Sequence, residues 1–262
     1  MIFPPSINSF DVFGINIKFY GITIALALVV SMCAIFFVSK KIYKDKISQD
    51  FLLDLFPVVI IAGILGARLY YVLLNLPFYI NRPKEILAIW HGGLSIHGAI
   101  ILGVLAGIIY CVSKKQNALL CADVCILGLP LGQAIGRWGN FFNSEAFGTP
   151  TSLPWGLFIP EHLRPEKFAD FDFFHPTFLY ESILNIIIFA ILLYIAKKQP
   201  KTGCIFFSYF ILYAIARFII EGIRIDSVLN IGIFPVAQIA SIIMFIIGII
   251  GILVIKKNAY RL

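Results

Sequence analysis

Charged residues are scarce in this sequence. Asp, Glu, Lys and Arg make up only 13% of its 262 residues, whereas 60% are hydrophobic. Water-soluble domains carry about 25% charged and about 45–50% apolar residues. The mean hydropathy of +0.93 agrees with this excess. Too little polar surface is available to cover the apolar side chains, which excludes a water-soluble globular protein and predicts a membrane protein.

Several motifs of soluble enzymes are also missing. The chain contains no serine-hydrolase elbow, no phosphate-binding P-loop and no dinucleotide fingerprint. Cys121 and Cys125 lack the further Cys or His residues that a zinc site needs. All five cysteines fall within apolar runs or near their ends, so no disulfide framework is expected. We predict neither a metal site nor a cofactor.

Long apolar runs define the fold class. A helix needs about 20 mainly apolar residues to cross a bilayer. The sequence therefore predicts an all-α integral membrane protein with about seven transmembrane helices. Their expected positions are 19–39, 51–74, 94–113, 118–136, 176–196, 203–222 and 235–255.

Basic residues predict the orientation of these spans. Four clusters lie at alternate span ends, which places them all on one side of a seven-span protein. The clusters are Lys40, Lys41, Lys44 and Lys46; Lys114 and Lys115; Lys197, Lys198 and Lys201; and Lys256, Lys257 and Arg261. The positive-inside rule puts that side in the cytoplasm, with the N-terminus outside and the C-terminus inside. The net charge of +7 is therefore interpreted as a topology signal and not as a nucleic-acid surface.

No shift in composition divides the chain, so residues 1–262 are predicted to form a single membrane domain. Residues 137–175 form the longest polar segment, and their many aromatic residues argue against disorder. They are expected to form a small head on the outward (periplasmic) side, where aromatic residues accumulate at the lipid interface. A cleaved signal peptide is not expected, because the first residues lack a basic region.

Small residues recur at every fourth position in several spans. Such stripes allow close approach of helix backbones in lipid. They are predicted to serve helix packing, and comprise Ala62 and Gly66; Ala99, Gly103 and Gly107; and Gly128, Gly132 and Gly136.

Ionisable residues within or beside the spans mark candidate functional positions, because charge is costly in lipid. They are Arg68, His97, Asp123, Arg137, Glu145, His175, Glu181, Arg217, Glu221 and Arg224. In the sixth span, offsets of four, four and three residues predict one helical face for Tyr213, Arg217, Glu221 and Arg224. Arg217 can pair with Glu221, which leaves Arg224 for another anion. The alternatives are an anion site and a charge network that only clamps helices together.

The stretch GRWGNFFNSEAFG, residues 136–148, combines glycine, aromatic and polar residues. Arg137 offers a planar fork of donors suited to phosphate. The amides of Asn140 and Asn143 can donate to oxygens of a glycerol or ester group, and Glu145 adds a carboxylate. This composition is unusual both for a transmembrane helix and for a loop, and a binding site explains it better.

Two histidines lie in HGGLSIHGA, residues 91–99. Histidine titrates near neutral pH and can take up a proton or hold an anion. His97 is either a catalytic residue or a buried histidine with hydrogen-bond partners, while His91 is expected in the outward loop. Their spacing does not match close helical metal ligands. Since the chain offers donors and a base but no strong nucleophile, direct transfer between two bound substrates is favoured over a covalent enzyme intermediate.

Taken in order, these segments resemble the phosphatidylglycerol–prolipoprotein diacylglyceryl transferase family of bacteria. The resemblance covers nearly the whole chain and includes YGITIALAL at 20–28, GARLYYV at 66–72, HPTFLYE at 175–181 and RFIIEGIR at 217–224. Its most specific part is the Gly-Arg-x-Gly-Asn-Phe-x-Asn-x-Glu pattern that begins at Gly136. Ala99 stands where many members have a second glycine.

The resemblance implies an enzyme of the bacterial cytoplasmic (inner) membrane whose active site opens toward the outer face. Its substrates are phosphatidylglycerol, a membrane lipid, and a prolipoprotein signal peptide with a lipobox cysteine. The diacylglyceryl group moves to the cysteine thiol, a thioether forms, and glycerol 1-phosphate leaves.

The resemblance also implies roles for individual residues. His97 is the expected general base, and a carboxylate such as Glu145 is the alternative if it is buried. Arg137 is expected to contact the lipid phosphate, with Arg217 beside it. The remaining matched or candidate substrate-binding positions are Tyr20, Asn140, Asn143, Gly148, Glu221 and Arg224.

Three rival functions remain open at this point. A transporter for an anionic solute would line its path with the same charged residues, although these gather at one end of the spans. A phosphatidyl transferase would use repeated aspartates, and Asp123 is alone. A membrane scaffold would leave residues 136–148 unexplained.

Overall fold

The computed structural model describes residues 1–5, 7–13, 15–44, 46–225, 230–231 and 234–257. Arg261, a member of the fourth basic cluster, lies outside these ranges. The described chain forms two compact units, one made of Met1–Val38 with Ala122–Leu262 and the other of Ser39–Cys121.

The described residues are mostly helical and include three short pairs of antiparallel strands. The helices are α1 (Phe19–Ile42), α2 (Gln49–Leu74), α3 (Leu76–Ile80), α4 (Ile96–Ser113), α5 (Ala118–Ile126), α6 (Leu129–Asn143), α7 (Thr177–Lys197), α8 (Cys204–Glu221) and α9 (Val236–Lys257). The strands are β1 (Ser9–Val12), β2 (Ile15–Lys18), β3 (Leu157–Phe158), β4 (Phe173–Phe174), β5 (Asn230–Ile231) and β6 (Phe234–Pro235). Short 3-10 helices cover Pro83–Ile86, Ile89–His91, Glu161–Leu163 and Glu166–Phe168.

Within the described ranges, six helices are long and apolar enough to cross a membrane: α1, α2, α4, α7, α8 and α9. The pair α5 and α6 forms a seventh candidate span that bends by 45° at its break. This confirms the prediction of about seven spans.

The sequence analysis did not predict the bend. Gly128 precedes α6 and Pro130 lies in its first turn. Proline lacks a backbone N–H and cannot continue the helical hydrogen bonding of α5, so the chain starts a new helix there. That helix continues to Asn143, beyond the predicted end of the span at residue 136. Residues 137–143 are therefore its last turns and not part of the loop.

Several members of the small-residue stripes lie at close helix contacts, as predicted, whereas a Cβ atom on Gly103, Gly107 or Gly136 would meet its nearest neighbour at an ordinary contact distance. A Cβ atom on Gly66 of α2 would lie 2.6 Å from Leu102 Cβ of α4 and would also meet the Gly98 carbonyl. In the other unit, a Cβ on Gly128 would lie 2.6 Å from the carbonyl oxygen of Ser31 in α1. These helices approach closely because the contact positions lack side-chain atoms.

The aromatic-rich loop after α6 folds into a small head. Its core consists of five buried apolar side chains, namely Phe147, Leu157, Ile159, Phe174 and Phe178. The N-terminal chain adds to the β3–β4 hairpin: the Ile2 N–H donates to the Gly156 carbonyl at 2.8 Å, and the Phe158 N–H donates to the Ile2 carbonyl at 2.8 Å. The head and the N-terminal residues therefore lie together.

Asp123 of α5 has a structural role at the N-terminal end of α8. Its buried carboxylate accepts hydrogen bonds from the backbone N–H groups of Gly203 at 2.5 Å and Phe206 at 2.8 Å. The first N–H groups of a helix have no partner within it. Asp123 supplies that partner from another helix and fixes where α8 begins.

Candidate active site

The centre of the candidate site is a buried carboxylate that the sequence analysis did not include among the site residues. Glu181 lies in the second turn of α7, and its Oε2 is 2.5 Å from a guanidinium nitrogen of Arg137 on α6. A nitrogen of Arg217 on α8 lies 3.4 Å from Glu181 Oε1. Three helices thus converge on one side chain, which lowers the cost of holding the arginines within the bundle.

The arginines of RFIIEGIR take two different positions. Arg217 pairs with Glu221 one turn later, with a nitrogen–oxygen distance of 2.6 Å, as the four-residue spacing predicts. Arg224 was expected on the same helical face, but α8 ends at Glu221 and Arg224 follows the turn after it. Arg224 was left for another anion, and a nitrogen of its guanidinium lies 3.6 Å from Oε1 of Glu181.

These five side chains form what we call the arginine group: Arg137, Arg217, Arg224, Glu181 and Glu221. Three guanidinium groups and two carboxylates give it a formal charge of +1. Arg137 has the most exposed side chain of the three arginines, at 23%. The group can bind an anion such as a phosphate, and Arg137 is the member most accessible to it.

Asn140, Asn143 and Glu145 form a separate hydrogen-bonded set beside Arg137. The amide nitrogens of Asn140 and Asn143 both donate to Glu145 Oε1, at 2.9 and 3.3 Å. Arg137 in turn donates to the Asn140 side-chain oxygen at 3.5 Å. The asparagines were predicted to donate to substrate oxygens, yet each already directs its amide nitrogen at Glu145. Glu145 is exposed, so it does not meet the burial condition set for its use as a base.

Tyr20 reaches the same region from the first turn of α1. A Cβ atom on Gly139 would lie 2.7 Å from the Tyr20 ring, so the ring packs directly on the backbone of α6. Tyr20 retains 38% exposure and stands next to the turn that carries Asn140. The structure therefore brings Tyr20, Arg137, Asn140 and Glu145 to one end of α6.

Comparison with known proteins identifies the family. A family model described as prolipoprotein diacylglyceryl transferase matches residues 8–254. The phosphatidylglycerol–prolipoprotein diacylglyceryl transferase of Thermotoga maritima is 43% identical over 253 residues, which cover 95% of this chain and 84% of the relative. The protein of the same name from Prochlorococcus marinus is 42% identical over an alignment of 272 positions. This alignment covers 94% of this chain and 90% of the relative.

This chain belongs to the prolipoprotein diacylglyceryl transferase family. Membership confirms the resemblance drawn from the sequence motifs. It also confirms the predictions of a membrane protein with multiple spans and of a transferase. It does not favour the alternative function, a transporter for an anionic solute. The roles of individual site residues stay predictions.

Gly148, matched to this family in the sequence analysis, is buried where three chain segments meet. Its N–H donates to the His175 carbonyl at 2.9 Å, and the adjacent Thr149 N–H donates to the Ile223 carbonyl at 2.9 Å. A Cβ on Gly148 would lie 2.8 Å from Ile223 Cγ2 and 2.9 Å from His175 Cβ. The absence of a side chain therefore allows the segment before Arg224 to pack against the head.

Replacing Gly148 by alanine is expected to destabilise the protein by about 1–3 kcal/mol, because the added methyl group overpacks this junction. The measurement is thermal unfolding in detergent without substrate lipid. Gly136→Ala is the matched control, since its Cβ would lie 3.6 Å from Ile24, an ordinary contact distance. Equal unfolding midpoints for the two variants would leave substrate binding as the only reason for a glycine at 148.

His97, the base that the family resemblance implies, is the second residue of α4 and belongs to the Ser39–Cys121 unit. One of the two alternatives for His97 was a buried histidine with hydrogen-bond partners. The side chain is exposed, and its ring centroid lies 6.0 Å from that of Tyr70. Arg137 belongs to the other unit, so the participation of His97 stays a prediction of the resemblance.

Arg68 was counted among the costly intramembrane charges, and its environment gives it a structural role. Among the residues that the structure describes, the buried guanidinium donates to the backbone carbonyls of Glu85, Ile86, Ala88, Gly92 and Gly93. It thereby fixes the segment between α2 and α4. A cavity of about 300 Å³ lies beside it, lined in part by Tyr71, Tyr79 and His91.

Glu181 was counted from the sequence among the ionisable residues of the spans, and it lies in HPTFLYE, a segment matched to the family, but it was not assigned to the site. A glutamate near the start of an apolar span requires a cationic partner. What the spacing along α7 does not reveal is that the partners come from α6 and α8. The i,i+4 rule detects pairs within one helix only.

Proposed function

We propose that this protein transfers the sn-1,2-diacylglyceryl group of phosphatidylglycerol to the thiol of the lipobox cysteine of a prolipoprotein. This is the first step of bacterial lipoprotein maturation. The observation that carries the proposal is the arginine group around Glu181, found in a chain of the prolipoprotein diacylglyceryl transferase family. The relatives named above carry this activity in their names.

The reaction forms one bond and breaks one bond. The thiol sulfur attacks the sn-3 carbon of the diacylglyceryl group, a carbon–sulfur bond forms, and the bond from that carbon to the phosphate oxygen breaks. The bonding electrons leave with that oxygen, so glycerol 1-phosphate departs with one more negative charge. The thiol proton passes to a base.

The arginine group supplies the stabilisation that this reaction needs. Negative charge increases on the phosphate as the carbon–oxygen bond breaks, and fixed positive charge stabilises that change more than it stabilises the starting lipid. Arg137 is proposed to contact the phosphate because it is the most exposed of the three arginines. Arg217 and Arg224 are held beside it through Glu181 and Glu221, which keeps the guanidinium groups oriented before substrate binds.

The residues around Arg137 are proposed to orient the lipid. Glu145 holds Asn140 and Asn143 in one arrangement, so each asparagine offers its second amide hydrogen or its carbonyl oxygen to a ligand. Tyr20 borders this set, and Gly148 allows the segment before Arg224 to pack against the head. Glu221 acts through Arg217, and it is a positioning residue.

The proposed location is the bacterial inner membrane, with the site at its outer face and the N-terminus outside. Basic residues occupy the last turns of α1, α7 and α9, and Lys114 follows α4. Arg137 and Arg217 lie near the C-terminal ends of α6 and α8, and Glu181 near the N-terminal start of α7. The arginine group thus lies at the span ends opposite these lysines, which the positive-inside rule assigns to the outer side. Residues 1–262 are proposed to act as one membrane domain.

The test uses purified protein in detergent with phosphatidylglycerol and a synthetic peptide that contains a lipobox cysteine. Mass spectrometry follows the peptide, and a coupled assay follows the release of glycerol phosphate. Formation of a thioether-linked diacylglyceryl peptide with an equal amount of glycerol phosphate supports the proposal. A folded protein that binds the lipid but modifies no peptide would refute it and return attention to anion transport.

His97 is the proposed base, and replacing it by glutamine is expected to lower the transfer rate by about 10²–10⁴-fold at neutral pH, the usual contribution of general-base catalysis. The matched variant is Glu145→Gln, which keeps hydrogen bonding to the asparagines and is expected to lose much less. The reverse order of effects, with little loss for His97→Gln at several pH values, would assign the proton transfer to Glu145.

A further inference from the structure

A second polar layer lies one helical turn from the arginine group, toward the interior of the bundle. The contacts Arg137–Glu181 and Ala134–Ser182 show that α6 and α7 run antiparallel. One turn inward from Arg137, Glu181 and Arg217 therefore brings the same face of each helix to Gln133, Asn185 and Tyr213, respectively.

Asn185 carries an unsatisfied hydrogen-bond acceptor in this layer. The residue is 3% exposed, and its amide nitrogen donates to the Glu181 backbone carbonyl at 2.8 Å. That contact fixes the orientation of the amide, because the reverse orientation would bring two oxygens together. The side-chain oxygen has no hydrogen-bond partner among the described residues. A buried acceptor without a partner is costly, and within the described part of the chain no donor satisfies it.

Gln133 and the tyrosines of α8 supply the opposite hydrogen-bonding capacity. Tyr209 donates its hydroxyl to the Gln133 side-chain oxygen at 3.0 Å, which directs the Gln133 amide nitrogen away as a donor. Tyr213 stacks on Tyr209 with ring centroids 5.4 Å apart, which places its phenol ring beside that of Tyr209. The layer thus offers an acceptor on α7 and donors on α6 and α8. A hydroxyl group, which both donates and accepts, matches this set.

We propose that Asn185 and Gln133 bind a hydroxyl of the lipid headgroup and so select a lipid whose headgroup carries one. This inference rests on the proposed function, because it places the lipid phosphate on the arginine group. Four helical residues rise about 6 Å, a distance that a glycerol attached to that phosphate spans. An ammonium headgroup can also donate to Asn185, but the adjacent arginines repel it. The layer therefore favours a neutral glycerol headgroup.

The experiment compares phosphatidylglycerol with phosphatidylpropanol of the same acyl chains, which has the same headgroup carbons and no hydroxyls. Displacement of a fluorescent phosphatidylglycerol from the full-length protein in detergent gives the two dissociation constants. The wild type is expected to bind phosphatidylglycerol about tenfold more tightly, the value of about one hydrogen bond to a buried acceptor. Asn185→Leu is expected to reduce this preference to about twofold or less.

Ser182→Ala is the matched control, because it removes another buried hydrogen bond from α7, at 2.9 Å to Ala134, and is expected to keep the tenfold preference. A ratio of two constants from one preparation does not depend on the fraction of active protein. Equal binding of both lipids by the wild type, or an unchanged preference in Asn185→Leu, would overturn the inference. Failure of the proposed function is a different result, namely no peptide modification by lipid-bound wild type.

Discussion

Replacing Arg137 by alanine is expected to lower the rate of diacylglyceryl transfer by about 10²–10³-fold, the usual loss when a group that stabilises developing charge is removed. Arg137 has the most exposed guanidinium of the arginine group, and Glu181 holds it in place at 2.5 Å. Its removal withdraws a planar, two-pronged donor from the phosphate as the negative charge increases. The measurement is the initial rate of peptide modification with saturating phosphatidylglycerol.

Two further variants separate charge from geometry. Arg137→Lys keeps the charge and loses the fork of donors, so an intermediate rate is expected. Arg82→Ala removes an exposed arginine of the Ser39–Cys121 unit, which lies over the Phe78 ring, and serves as the control with near wild-type activity. If Arg137→Ala and Arg82→Ala retained similar activity, Arg137 would have no part in the chemistry.

Replacing Glu181 by glutamine is expected to reduce transfer about 100-fold and to destabilise the fold by about 3 kcal/mol, because breaking a buried ion pair leaves uncompensated charge. Three arginines lie within 3.6 Å of this carboxylate. Without its charge they repel one another, and their positions before substrate binding are no longer fixed. Rates and thermal unfolding midpoints are both measured.

An added anion distinguishes this explanation from a general loss of packing. Glycerol 1-phosphate at a fixed concentration is expected to raise the unfolding midpoint of Glu181→Gln more than that of the wild type, because the anion replaces the missing carboxylate. Glu161→Gln, a change at an exposed glutamate of the head, should show the wild-type response. An identical response in all three proteins would mean that Glu181 does not organise the arginines.

The predictions from the sequence were right where a single helix carries the information. Apolar runs located the spans because membrane thickness sets a minimum length, and the four-residue spacing located the Arg217–Glu221 pair. The charged and amide residues of 136–148 were identified by their composition alone. These features depend on neighbours in the sequence, so local periodicity is sufficient to find them.

The predictions were incomplete where a contact joins different segments. Glu181 was left out of the site because its partners lie on α6 and α8, and Arg224 was placed on a helical face that ends at Glu221. The asparagines were predicted to donate to substrate, whereas their nitrogens point at Glu145. The bent fourth span was predicted as a straight one, since hydropathy does not register a change of direction at Gly128 and Pro130.

The pairing of Ile2 with the head hairpin has a consequence for biosynthesis. Residues made at the beginning of translation complete a sheet with Gly156 and Phe158, which emerge only after the first four candidate spans have been made. The segment around Ile2 is therefore made long before the hairpin that it joins, and its backbone groups lack these partners until Gly156 and Phe158 have been made. Contacts between such distant residues slow folding. We therefore expect the pairing of Ile2 with this hairpin to form late in the folding of the protein.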